Sequence, residues 1–278
     1  MDIDKALQAS NNAPFYVFNL FADYFELYGD GTAMTQDILH LLGLLGLSEQ
    51  AARSTLLRMK RKGWLDAERV GRQTRYKLSP SGHTITQQGD KRIFETPIDD
   101  WNGEWQFVVY SLPEEKRSLR NELRKKLVWF GFGNLAPGTW VGAHDRLVEL
   151  KKIVDDMEIR SQVSLMSGRR VGLMTDAEIV AKCWDLDRLE AEYADFVSRW
   201  RAQLEGIDIV RMSAEERFRV RFMLTFEFQP FPRKDPNLPT ALLPPNWSGF
   251  EARHLFTTYR KKLNEGLPIF FDKLSISN

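Results

Sequence analysis

The apolar residues of the first ninety positions recur at helical spacing and break at glycine. Phe15, Phe18, Ala22, Phe25 and Leu27, with Val17, Leu20, Phe21, Tyr24 and Tyr28 between them, predict a helix that is apolar on most sides. Such a helix is either a deep core element or one end of a dimer interface. Gly29-Asp30-Gly31 stops it. Thr35 is the expected cap of a second helix with Ile38, Leu39, Leu41 and Leu42 as its apolar face, and Gly43 and Gly46 then permit a turn. A third helix is expected from Ser48, its N-cap, to Lys62, with Gly63 as the stop. Ala52, Leu56 and Met59 face its core, while Gln50, Arg53, Ser54, Leu57, Arg58 and Arg61 lie on the opposite face. Strands at Asp66–Val70 and Thr74–Leu78 flank Gly71-Arg72-Gln73, and Ser79-Pro80-Ser81-Gly82 reads as the close of this segment.

Beyond a linker at Thr96–Gly103 the pattern changes. Trp105–Leu112 is a nearly continuous apolar strand, and Pro113 opens a helix with Leu119, Leu123, Leu127 and Phe130 on one stripe. Short strands follow near Phe132–Leu135 and Thr139–Ala143, then a helix over Asp145–Asp156 and a strand over Glu158–Ser167. The order βαββαβ is that of a ferredoxin-like unit, with both helices on one face of an antiparallel sheet. Thr175–Leu204 is helical with a break near Trp184-Asp185-Leu186, and its stripe of Leu189, Tyr193, Phe196 and Trp200 reads as core. Ser213–Phe228 forms a long helix, and Ala252–Asn264 a closing one. Six of the twelve prolines fall between Pro230 and Pro245, a stretch expected to be irregular but held down by Leu238, Leu242, Leu243 and Trp247. The fold class expected is therefore multidomain α+β. It comprises a winged helix–turn–helix at 1–95, a ferredoxin-like domain at 96–174 and a mainly helical domain at 175–278.

Charge sharpens the first segment. The 278-residue chain carries a net charge of only +1, yet residues 53–77 hold nine Lys/Arg against Asp66 and Glu68, a local +7. A duplex is a dense line of phosphates, and cations that displace its condensed counterions supply most non-specific affinity. The third helix follows a short glycine-containing turn and offers polar and Arg side chains outward, which is helix–turn–helix spacing. The expected DNA-contacting residues are Ser48, Gln50, Arg53, Ser54, Arg58 and Arg61 on the helix, with Arg69, Arg72 and Arg75 clustered at the hairpin tip. Gln and Arg can read adenine and guanine edges in the major groove, and a basic hairpin tip suits phosphates or the minor groove. Lys60, Arg61 and Lys62 serve equally as complements to the helix dipole.

Other chemistry finds little support. Cys183 is the single cysteine and the four His are scattered, so no disulfide framework, thiolate zinc site or cofactor is expected. The first ten residues lack a basic start and an apolar run, so a signal peptide is not expected; no membrane span is expected either, and the expected location is the cytoplasm.

With these residues in view, the chain resembles the PaaX family of transcriptional regulators. Five blocks carry the resemblance: LGLSEQAARSTLLRMKRKGWL, RVGRQTRYKLSPSG, WNGEWQFVVYSLPEEKRSLRNELRKKLVWFGFGNLAPGTWV, CWDLDRLEAEYADF and FPRKDPNLPTALLPPNWSGFEARHLF. The resemblance implies a repressor of a catabolic operon of the phenylacetate type, a homodimer on palindromic double-stranded operator DNA. It also implies release by an acyl-CoA inducer, phenylacetyl-CoA. Arg117, Arg120, Arg124, Arg169 and Arg170 could meet CoA phosphates, but the stronger expectation for each is a surface charge or an ion pair with nearby Glu, for example Glu114 and Glu115 with Arg117 and Arg120. The family's middle domain is similar to small CRISPR-associated ferredoxin-like nucleases, which hold a metal through an acidic residue at the end of the first strand. Here that strand ends Val109-Tyr110-Ser111-Leu112 without a carboxylate. The rival reading, a metal-dependent nuclease anchored by the winged helix, would rest on His144-Asp145 and Asp155-Asp156. The chain is expected not to be an enzyme.

Overall fold

The computed structural model describes residues 12–93 and 101–276. The first ten residues and most of the expected linker at 96–103 lie outside the described residues. In chain order the described elements are α1 (Ala13–Leu20), which runs on through a π-helical turn (Phe21–Phe25) into Glu26–Tyr28, β1 (Thr32–Met34), α2 (Thr35–Leu44), α3 (Glu49–Arg61), β2 (Leu65–Val70), β3 (Gln73–Leu78) and α4 (Pro80–Ile93). Then come β4 (Trp105–Tyr110), α5 (Arg117–Trp129), β5 (Gly133–Ala136), β6 (Thr139–Gly142), α6 (Leu147–Asp156) and β7 (Val163–Gly168). The remainder is α7 (Asp176–Cys183), α8 (Leu186–Glu205), α9 (Ala214–Phe228), α10 (Phe231–Lys234), α11 (Ser248–Lys262) and α12 (Leu267–Ile276). The chain is mixed α+β, with two small antiparallel sheets.

It divides into two compact units. One takes in the described residues of 1–94, 198–229 and 253–278, the other those of 95–197 and 230–252. The C-terminal segment that the sequence sets apart thus contributes residues to both.

In the first unit the apolar helix α1 is a core element: Tyr16, Val17, Leu20, Phe21 and Tyr24 are all buried. Its rings meet those of α9 and α12. Tyr16 lies edge-on to Phe222 at 5.0 Å, Tyr24 edge-on to Phe218 at 5.1 Å, and Tyr24 stacks on Phe271 at 5.2 Å. The π turn carries Asp23 and Tyr24 toward α9 and α11. Asp23 pairs with Arg260 and stands 3.9 Å from Arg221, whose guanidinium lies 4.6 Å over the Tyr24 ring. Burial pushes the Tyr24 hydroxyl up to about 12.

Three local expectations in this unit are corrected. Thr35 does not cap α2; Met34 occupies the cap, and the Thr35 hydroxyl donates to the Thr74 carbonyl at 2.8 Å. That bond fastens α2 to the sheet, where the unexpected β1 pairs with β3 through Ala33 opposite Tyr76. The Ser79–Gly82 stretch does not close a domain but starts α4. The Ser79 hydroxyl donates to the Gly63 carbonyl at 2.6 Å and accepts from the Gly82 amide at 3.1 Å. A Cβ at Gly82 would stand 2.3 Å from the Trp64 carbonyl oxygen, so only glycine permits this approach.

In the second unit β4, β5, β6 and β7 form one sheet in the order β5-β6-β4-β7. Alternation along β4 sends Val108 and Tyr110 into a core shared with Leu123 and Leu127 of α5, Trp140 of β6, and Leu150 and Val154 of α6. The helices begin later than expected, with a 3-10 turn at Glu114–Lys116 before α5 and α6 starting at Leu147. α7 is held by a capping box between Thr175 and Glu178, and the break before α8 falls at Trp184-Asp185. The proline-rich stretch is ordered, with Leu238, Leu242 and Trp247 buried. It also holds the one-turn helix α10, where Pro232 sits in the first turn and needs no amide partner.

Candidate nucleic-acid interface

α3 forms because its start, face and end agree. The Ser48 hydroxyl accepts from the Ala51 amide at 3.3 Å, Glu49 sits in the positive first turn, and Gly63 leaves the helix at φ +69°. Ala52, Thr55, Leu56 and Met59 are buried, which turns Gln50, Arg53, Ser54, Leu57, Arg58 and Arg61 to solvent. Leu57, 51% exposed, is a large apolar residue on this polar face. In the hairpin, Leu65 through Val70 pair in register with Leu78 through Gln73. The two-residue turn Gly71-Arg72 has φ +58° at Gly71, as a II′-type hairpin requires.

The expected contact residues gather on these two elements. Ser48, Gln50, Arg53, Ser54, Arg58 and Arg61 are exposed on α3, and Arg69 and Arg72 are exposed at the hairpin tip. Arg75 is half-buried on the middle strand, between Met34 and Glu68. Arg69 donates to the Gly71 carbonyl at 3.3 Å, which steadies the turn. Lys62 lies 4.5 Å over the Trp64 ring. The residue that sequence reasoning undervalued is Glu49. Besides opening the helix it holds Arg53 by an ion pair at 2.7 Å, a four-residue spacing legible in the sequence. Gln36 and Gln73, joined at 3.1 Å, tie the start of α2 to the hairpin and give no sequence signal.

Comparison with known proteins covers most of the chain. Residues 13–82 match the family model described as PaaX-like protein, residues 99–180 the PaaX protein central Cas2-like domain, and residues 184–273 the PaaX-like protein C-terminal domain. The chain belongs to the PaaX family. It is 29% identical over 243 residues to the Transcriptional repressor PaaX of Escherichia coli (strain K12), covering 83% of this chain and 76% of that one. It shares a fold with an uncharacterized protein from Mycobacterium tuberculosis, at TM-score 0.58 and 20% identity, over 86% of this chain and 92% of the other.

The arginines of the PaaX central-domain region behave differently from those of α3. Arg120 pairs with Glu114 at 2.7 Å and Arg117 stands 3.9 Å from the same carboxylate. Arg124 donates to the Tyr110 hydroxyl at 3.1 Å, and Arg170 pairs with Asp176 at 2.8 Å. Arg169 is exposed. The residues a nuclease would need serve the fold: His144 is buried against the Asn237 carbonyl, and Asp145 accepts from the Leu147 amide at 3.2 Å. Among the described residues no three His, Cys, Asp or Glu side chains stand together as a metal would require. No helix among them is long and apolar enough to cross a membrane.

Proposed function

We propose that this PaaX-family chain is an effector-gated transcriptional repressor rather than an enzyme, working in the cytoplasm on double-stranded operator DNA. One observation carries the reading. The outward face of α3 presents Gln50, Arg53, Ser54, Arg58 and Arg61 to solvent, directly before a hairpin whose tip carries exposed Arg69 and Arg72. We read α2, α3 and the hairpin as a winged helix–turn–helix, and the sheet order β5-β6-β4-β7 with its two helices as ferredoxin-like. The three segments 1–95, 96–174 and 175–278 then divide the labour between DNA contact and signal reception.

In this reading Gln50, Arg53 and Ser54, in the N-terminal half of α3, read base edges. Arg58, Arg61, Arg69, Arg72 and Arg75 meet phosphates and set register, with Ser48 as the cap that fixes the helix start. A homodimer on a palindrome doubles these contacts at half-sites about one helical turn apart. The relative's name supports repression as the direction of control. An aryl-CoA inducer, phenylacetyl-CoA, acts by binding the DNA-incompetent arrangement more tightly than the competent one, since a ligand with equal affinity for both shifts nothing.

The test is fluorescence anisotropy on promoter DNA from around the chain's own gene, with and without phenylacetyl-CoA. The reading predicts tight, salt-sensitive binding that weakens as the thioester is added and ignores free CoA. Binding no tighter than to scrambled DNA would overturn it.

A further inference from the structure

Two stretches singled out in the sequence, Cys183-Trp184-Asp185-Leu186-Asp187 and Leu242-Leu243-Pro244-Pro245, have no part in DNA contact. In the structure they meet. They enclose a cleft of about 560 Å³ together with the end of α7. Part of each stretch is explained by folding: Leu186 and Leu242 are buried, and Asp185 caps α8 by accepting from the Arg188 amide at 3.2 Å. Packing does not explain the half-buried Leu243 and Pro244 or the exposed Pro245, which with the half-buried Trp184 form the apolar walls.

The cleft is preformed. A Cβ on Gly133 would stand 2.5 Å from the Cys183 Cβ and 2.8 Å from Trp184, so the glycine lets the α7–α8 corner sit directly on the sheet edge. Trp184 stacks on the buried Trp105 at 6.3 Å, and Trp105 donates to Asp176 at 3.0 Å. The volume falls within the range of about 300–1,000 Å³ usual for small-molecule sites. Thirteen residues line it, fewer than the roughly 20–30 a side of a standard protein interface. Its charged groups are Lys182, Asp185 and Asp187, a net negative mouth that disfavours a carboxylate carried on the entering group itself, whereas the phosphates of a CoA thioester stay at the far end of its pantetheine arm.

We infer that this cleft binds a small neutral aryl or acyl group, and is the pocket for the apolar end of the effector. This rests on the effector-gated reading above. Burial pushes the Cys183 thiol up to about 11, so at neutral pH it stays an uncharged wall atom compatible with an apolar guest.

Cys183 is the only cysteine in the chain and reports on the cleft. The experiment follows its alkylation by iodoacetamide in alkaline buffer, by intact mass, with benzyl alcohol, phenylacetate or phenylacetyl-CoA present. Benzyl alcohol and the thioester are expected to slow alkylation several-fold, and phenylacetate at the same concentration to leave it unchanged. Ala181→Trp, at an exposed position of α7 on the cleft wall, is expected to abolish benzyl alcohol binding by calorimetry without changing operator affinity in the absence of ligand. Thioester-driven operator release with no protection of Cys183, persisting in Ala181→Trp, would overturn the cleft and leave the repressor reading standing. Protection by benzyl alcohol in a protein that binds no operator would uphold the cleft and overturn the repressor reading. Equal protection by phenylacetate would overturn the neutral-ligand assignment.

Discussion

Two sets of charges within one compact unit are built in opposite ways. On α3 and the hairpin tip, Arg58, Arg61, Arg69 and Arg72 are exposed, and Arg53 pairs with its helix neighbour Glu49 at the surface. Behind them, where α1 meets α9 and α11, Arg221 is 1% exposed and shares the Asp23 carboxylate with Arg260. The first set is hydrated, so exchanging water and counterions for phosphate requires no folding energy. In the second set Arg221 has given up hydration, and the Asp23 carboxylate stands beside it. The same residue type is therefore solvated and available on α3 and the hairpin tip, and architectural where it is enclosed.

The comparison is broken or sharpened by substitution. The largest effect is expected at Asp23→Ala, which leaves Arg221 buried without its carboxylate. Stability should fall by about 3–5 kcal/mol in denaturant melts. Operator affinity of the fraction still folded should be unchanged, and a selective loss of DNA binding at full stability would merge the two sets. Ser48→Ala removes the cap of α3 and should lower stability by about 1 kcal/mol. It should weaken operator binding modestly, measured by thermal melts alongside anisotropy. Arg120→Ala removes the pair with Glu114 and a 3.4 Å bond to the Leu112 carbonyl, and its effect on both stability and operator affinity should stay within about 1 kcal/mol. A large affinity loss there would show that the paired arginines also face DNA.

The segment from α3 to the hairpin was legible because its signals are local. Ser48, Glu49 and Gly63 mark both ends of α3, and the spacing of Ala52, Leu56 and Met59 turns the arginines outward. The alternation and prolines around β4 to β7 were legible for the same reason. What escaped depends on distant partners. β1 is three residues long and exists through its pairing with β3. α4 was hidden because Ser79-Pro80-Ser81-Gly82 reads as a turn, while Ser79 caps a helix and bonds back to Gly63. Thr35 looked like a cap, yet spends its hydroxyl on Thr74, 39 residues away. The Asp23–Arg260 pair joins residues 237 apart, and no periodicity announces it. Nor could the sequence show that CWDLD and LLPP wall one cleft.

In the proposed repressor, α3 reads sequence while the hairpin tip holds the phosphate backbone. A salt series of anisotropy titrations on Arg53→Ala and Arg72→Ala, each against operator and scrambled DNA, tests it most directly. Arg53→Ala should lower the preference for operator by about 1–3 kcal/mol with little change in salt slope. Arg72→Ala should weaken both DNAs alike and reduce the slope by about one counterion. Equal losses on both DNAs for Arg53→Ala, or a loss confined to operator for Arg72→Ala, would contradict that division.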